Sequence, residues 1–249
     1  MSGPFGILLL ALISIIVATP LLIEEEGWDS ISSLLLSAVL LAALHAARPG
    51  RKPLLVGVCL IGLDFLLGRI AMTTPSIVTV ALQSTFWLLS LIYVTAIIAE
   101  SMFEASEVTV ETLQTALCVY LLIGVLFGFG LSLLDQLSPG SFLDGKHAHL
   151  DWTDAEARAR SFMKVLEYSF ASLSGAGGAS ISPGRGLVLN LTSLESMAGQ
   201  IYLAVVIARL VGIGSTSASE AKQHRQAASL NGSETRAVGT ASADSSLDA

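Results

Sequence analysis

The stretch Glu167-Tyr168-Ser169-Phe170-Ala171-Ser172-Leu173-Ser174-Gly175-Ala176-Gly177-Gly178-Ala179-Ser180-Ile181-Ser182-Pro183 decides how the chain reads. A run of aromatic, small and hydroxyl residues passes into a glycine- and alanine-rich loop and closes on a Pro-Gly turn, with a long apolar segment on either side. This is the layout of a re-entrant pore loop. Irregular backbone at membrane depth survives only where protein covers it or water lines it, because lipid cannot satisfy free N–H and C=O groups. The same run is not a phosphate loop, since no strand precedes it and no lysine follows it.

Working outward, the 249-residue chain is 53% hydrophobic with a mean hydropathy of +0.72, well outside the soluble range. A helix needs about 20 mainly apolar residues to cross the hydrocarbon core. Segments of that kind run roughly from Phe5 to Ile23, Ile31 to Ala47, Pro53 to Met72, Ile77 to Ala99, Leu113 to Leu134 and Leu187 to Ile213. The expected fold is therefore an all-α membrane protein with six transmembrane helices, and a re-entrant pore helix and loop between the fifth and sixth. Residues 1–107 would form a four-helix N-terminal membrane region and 108–214 a pore domain. The Ser-, Ala- and charge-rich residues 215–249 would form a disordered cytoplasmic tail.

Lysines and arginines in short loops set the orientation. The loop after the first segment, Glu24 to Asp29, has none, whereas the next has Arg48, Arg51 and Lys52, which puts both termini in the cytoplasm. The acidic stretch Glu100 to Glu111, expected inside, runs against that pattern. The first segment has no basic residue ahead of it and reads as a retained helix rather than a signal peptide. The expected location is the plasma or inner membrane, as a multi-pass protein.

Charge and motifs narrow the function. The net charge of −7 is spread over loops and tail, which argues against a nucleic-acid partner. Cys59 and Cys118 fall inside apolar segments and read as packing residues. Asp64 and Arg69, five apart, do not share a helix face, so the buried acid either finds a structural partner on another helix or serves a functional role, and the sequence leaves both open. The fourth segment has no Lys or Arg, so arginine-based voltage sensing is not expected. Gly124 and Gly128 form a small-xxx-small pair; glycine is common in membrane helices, but if the spacing matters it is expected to pack against the last helix. The polar stretch Asp135 to Lys164 reads as a solvated outer turret. Its His147-x-His149 pair has no supporting metal-ligand spacing, so no metal is expected. A helix is expected from a cap at Thr153 to about Leu173, its C-terminal dipole end aimed at the ion path. No catalytic set or cofactor fingerprint is visible and no cofactor is expected; the chain does not read as an enzyme.

The quoted stretch resembles the bacterial potassium-channel-like membrane proteins, whose pore region reads roughly YFSFVTLTTVGYGDITP. Laid against it without a gap, Ser169-Phe170 matches SF, Ser172 and Ser174 fall on filter-side threonines, Gly177 on the first glycine of GYG, and Pro183 on the closing proline. Gly175, Ala176, Gly178, Ala179 and Ser180 replace threonine, valine, tyrosine, glycine and aspartate. The segment Leu194-Glu195-Ser196-Met197-Ala198-Gly199-Gln200-Ile201-Tyr202-Leu203-Ala204-Val205-Val206-Ile207-Ala208-Arg209-Leu210-Val211-Gly212 is similar to the family's last helix. The resemblance covers about Ser161 to Gly212. It implies a selectivity filter at Ser174, Gly175, Ala176, Gly177, Gly178 and Ala179, supported by Ser172, Ser180 and Glu195, with Gly199 able to bend the last helix. It also implies a homotetramer, because one chain supplies one loop to a ring of backbone carbonyls.

The altered letters bear on the chemistry. Ala179 puts a Cβ where the family has glycine, costing on the order of 1 kcal/mol or more if that position needs positive φ. Gly178 lacks the tyrosine that would wedge the filter from behind, and Gly175 lacks a hydroxyl ligand. The expectation is a cation channel subunit passing K+ or Na+ with weak or lost K+ selectivity. The alternatives are a non-conducting structural homologue whose loop packs shut, or a small multi-pass transporter, although no internal repeat supports the latter.

Overall fold

The computed structural model describes residues 3–22, 28–47, 50–73, 77–104, 109–145, 148–152, 155–209 and 211–212. The expected cap at Thr153, His147 of the His-x-His pair and the tail from Ser215 lie outside them. In chain order the elements are α1 (Pro4–Leu22), α2 (Trp28–Ala47), α3 (Arg51–Thr73), α4 (Ile77–Glu104), α5 (Val110–Leu137), β1 (Phe142–Asp144), β2 (Ala148–His149), α6 (Ala155–Ser174) and β3 (Ile181–Pro183), followed by α7 (Gly186–Arg209).

Four stretches are long and apolar enough to cross a membrane: Arg51–Ile70 in α3, Val78–Phe103 in α4, Val110–Leu137, which is α5 itself, and Gly186–Arg209, which is α7. Two apolar helices are shorter over their described side chains, Pro4–Thr19 and Leu35–Ala47. The chain divides into two compact units, Met1–Ala105 with Thr109–Ala204, and Ser106–Val108 with Val205–Ala249. The glycine-rich loop, α5, α6 and α7 as far as Ala204 belong to the first unit.

α5 is the axis of that unit, and its ends are written in the sequence. Thr109 caps the start, its Oγ1 accepting from the Thr112 amide at 3.1 Å while Thr112 Oγ1 accepts from the Thr109 amide at 3.5 Å. This reciprocal arrangement meets backbone donors that a helix start leaves open. At the other end the Ser138 amide closes on Leu134 O at 2.9 Å, and Pro139-Gly140 turns the chain, Gly140 with φ 85°.

α1 and α4 both pack along α5. Phe5, Leu8 and Leu12 of α1, Trp87, Leu91, Val94 and Ile98 of α4, and Cys118, Val119, Leu122 and Val125 of α5 share one core, which also takes in Leu166 of α6. Phe129 of α5 stacks on Trp87 at 5.8 Å between ring centroids and meets Phe162 of α6 at 4.6 Å. An aromatic row thus links the N-terminal helices through α5 to α6. In α3, Asp64 is buried and accepts from Ser90 Oγ on α4, which supplies the structural partner of the two readings left open.

α6 is amphipathic. Ala157, Ser161, Val165, Ser169 and Leu173 recur every fourth residue and are all buried, one stripe facing the protein. Beside α6, β2, β1 and β3 form a small antiparallel sheet in that order, with Phe142 opposite Pro183 and Asp144 opposite Ile181. A second core of Leu131, Phe142, Leu150, Val165, Ile181 and Val188 lies beneath it. The turret reading of Asp135 to Lys164 is therefore corrected in part. Asp135 is fully buried and accepts from the Phe142 amide at 2.9 Å and from Trp152 Nε1 at 2.8 Å, so this segment is a folded cap with a hydrogen-bonded acid at its base.

The glycine pair on α5 is also corrected. A Cβ on Gly124 would lie 2.5 Å from the Phe170 ring, and one on Gly128 would lie 2.8 Å from Leu166 Cδ1. Both partners belong to α6, not to the last helix. The absent side chains let α6 lie close against α5.

Candidate functional site

Contacts between α5 and α6 form a ladder that fixes direction and depth. Leu166 sits at Gly128, Phe170 and Ser169 at Gly124, and Leu173 O accepts from Tyr120 Oη at 3.3 Å. As α6 advances, its partners on α5 recede, so the two helices are antiparallel. Tyr120 is ten residues into a 28-residue helix, about 15 Å along a rod about 42 Å long. α6 therefore starts beside the C-terminal end of α5 and stops past its middle.

From there the chain turns back. β3 pairs with β1, just beyond the end of α5, and the Gly184 amide donates to Ser141 O at 2.8 Å. The return is compact: the Gly175 and Gly177 amides fold back on Ser172 O and Ala171 O, and by Ser180 the chain is already beside Glu167, about two turns back along α6.

α6 ends where its first glycine allows. Gly175 has φ 70° and its amide bonds to Ser172 O at 3.1 Å, the left-handed exit that glycine adopts without penalty. Gly177 and Gly178 have φ 65° and 75°, and the Gly177 amide reaches back to Ala171 O at 3.3 Å. Of the residues expected to form a filter, Ser174, Gly175, Ala176, Gly177 and Gly178 are exposed and Ala179 is half-buried. Among the described residues, and apart from chain neighbours, no atom lies within 4 Å of where a Cβ would sit on Gly177 or Gly178. No side chain packs there, and Gly177 is held through its amide bond to Ala171 O.

The expected supports divide. Ser180 Oγ donates to Glu167 Oε2 at 2.7 Å and ties the far end of the loop to α6. Ser172 Oγ donates to Tyr168 O of its own helix at 2.8 Å, and Ser174 Oγ does the same to Phe170 O. Glu195 is fully buried and its Oε1 meets Ser169 Oγ instead of the loop backbone. Ser169 Oγ is also 2.8 Å from Gly124 O. At Gly199 a Cβ would overlap Leu173 O, a backbone atom, so glycine there lets α7 cross the last turn of α6 closely. On the other side of that crossing, Tyr202 Oη donates to Ala116 O at 2.8 Å and its ring stacks on Tyr120 at 6.0 Å. Gln200 is exposed beside Gly175, its Nε2 3.8 Å from where a Cβ would sit.

Three contributors carry little sequence signal. Glu167 pairs across thirteen residues, Tyr120 holds a carbonyl fifty-three residues away, and Asp135 anchors the cap. Of these only Asp135, an acid closing an apolar run, has a local signature. Among the described residues, no group of three or more His, Cys, Asp or Glu side chains is placed to hold a metal ion. The chain matches no model of a protein family, no curated protein and no solved structure.

Proposed function

We propose that the chain is one subunit of a homotetrameric cation channel, with the Ser174–Ala179 backbone lining the ion path and α7 forming its wall. The observation that carries this reading is the antiparallel ladder between α6 and α5 together with the return of β3 to β1: the chain enters along one helix past its middle and leaves on the side it came from. A polar, glycine-rich turn at that depth needs water or protein beside it, and its exposed face is free for copies of itself and for ions. In this reading α1 and α2 complete six spans, both termini are cytoplasmic, and the β1–β2–β3 cap faces outward in the plasma or inner membrane.

Weak selectivity follows from the same loop. Rings of carbonyls discriminate between K+ and Na+ through the number and placement of their dipoles, and the open space behind Gly177 and Gly178 leaves those dipoles free to adjust. The openness also favours conduction over a loop packed shut within its own chain. No enzymatic role is proposed.

The test is the reversal potential of the purified protein in planar bilayers under opposed K+ and Na+ gradients. A current reversing near zero is expected, with a move toward the K+ equilibrium potential in G178Y/A179G. Strong K+ preference in the unaltered chain would refute weak selectivity. Silence from both proteins in well-folded preparations would favour a non-conducting relative.

A further inference from the structure

Two buried acids flank α6, and their surroundings treat them oppositely. Asp135 receives two hydrogen bonds, from an amide and an indole, and only an acceptor satisfies both. Among the described residues, Glu195 meets one group, the Ser169 hydroxyl, and its Oε2 has no hydrogen-bond partner. That hydroxyl has a single proton and also lies 2.8 Å from Gly124 O. Two contacts with one proton between them leave one contact unmade, unless Glu195 brings the second.

We propose that Glu195 stands behind the loop as a neutral hydrogen-bond donor, completing a relay from Glu195 Oε1–H to Ser169 Oγ and from Ser169 Oγ–H to Gly124 O that ties α7, α6 and α5 together. The neutral form suits the site because an ionised carboxylate, fully enclosed and holding one donor, would be a buried charge without a partner. The relay spans the three helices one turn before Leu173, in the last turn of α6, where Gly199 and Tyr120 also converge. Glu195 is thus a positioning residue: it sets where the loop begins and touches no ion itself.

The infrared spectrum of the full chain in lipid vesicles at neutral pH tests this directly. A carboxylic-acid C=O band is expected in the unaltered protein, lost in E195Q and shifted in frequency in S169A. A native-minus-E195Q difference showing only carboxylate bands, or an acid band that S169A does not move, would overturn the proposal. E195Q, which keeps both length and a donor, should fold and assemble as the native chain does, whereas E195L, of similar bulk but without a donor, should yield less assembled protein. Failure of E195Q to fold, or equal yields from the two variants, would also overturn it. The effect on the loop rests on the channel reading: E195Q should keep the native reversal potential and E195L should shift it. The spectrum does not depend on conduction, so the relay and the channel can fail separately.

Discussion

Gly199 and Gly178 are both glycines of the candidate site, yet they are glycine for different reasons. At Gly199 the obstacle is Leu173 O, a backbone atom that cannot swing aside. G199A should therefore push α7 off α6 and cost about 1–3 kcal/mol, as overpacking does, read as a lowered unfolding temperature of the purified protein. At Gly178 the space is open and the only penalty is φ 75°, so G178A should cost about 1 kcal/mol and act locally. A drop for G178A as large as that for G199A would contradict this distinction. Asp135 gives a third case. D135A leaves the Phe142 amide and the Trp152 indole without an acceptor, each about 1–3 kcal/mol. D135N should also destabilise, since its amide nitrogen would face one of the two donors, whereas E195Q should not. Denaturant unfolding of the two isosteric variants side by side checks that contrast.

Helices are the part of this fold most legible in sequence, because apolar length reports them directly. The helix around Glu167 is legible too, from its amphipathic run and the glycines that end it. What periodicity does not encode is which neighbour a face meets. Gly124 and Gly128 announce a close approach, but their spacing is the same whether α6 or α7 fills it, and α6 does. The cap is illegible for a related reason: β1, β2 and β3 are two or three residues each, too short for an alternating pattern to emerge. Gly128 makes the element-scale test. G128L should drive Leu166 outward and separate α6 from α5, lowering stability by about 1–3 kcal/mol. The loop hangs from α6 at one end and from Ser180 at the other, so S180A should leave the helices in place and speed hydrogen exchange of the loop amides. Unchanged exchange there would show that Ser180 restrains nothing.

Across the first unit, the N-terminal helices are built into the same core as α5 and α6, from Phe5 through Trp87 to Leu166. Their role in the proposed channel is to hold α5, against which α6 is placed, and the fourth segment carries no charge array that would move with voltage. Currents should therefore show little voltage dependence, and steep activation by voltage would contradict that role. The stretch from Glu167 to Pro183 is readable as a loop from its glycines, whereas its depth comes only from contacts fifty residues apart in sequence. That depth is the central claim, and substituted-cysteine labelling tests it most directly. With C59A and C118A as background, S174C and S182C are treated in intact cells and in inverted vesicles with a charged thiol reagent that cannot cross lipid. Both should react from the outer face, S182C quickly and S174C more slowly, with S174C protected by permeant cations. Reaction of S174C only from the inner face while S182C reacts from the outer would mean that the chain crosses the membrane there instead of turning back, and the pore-loop account would fall.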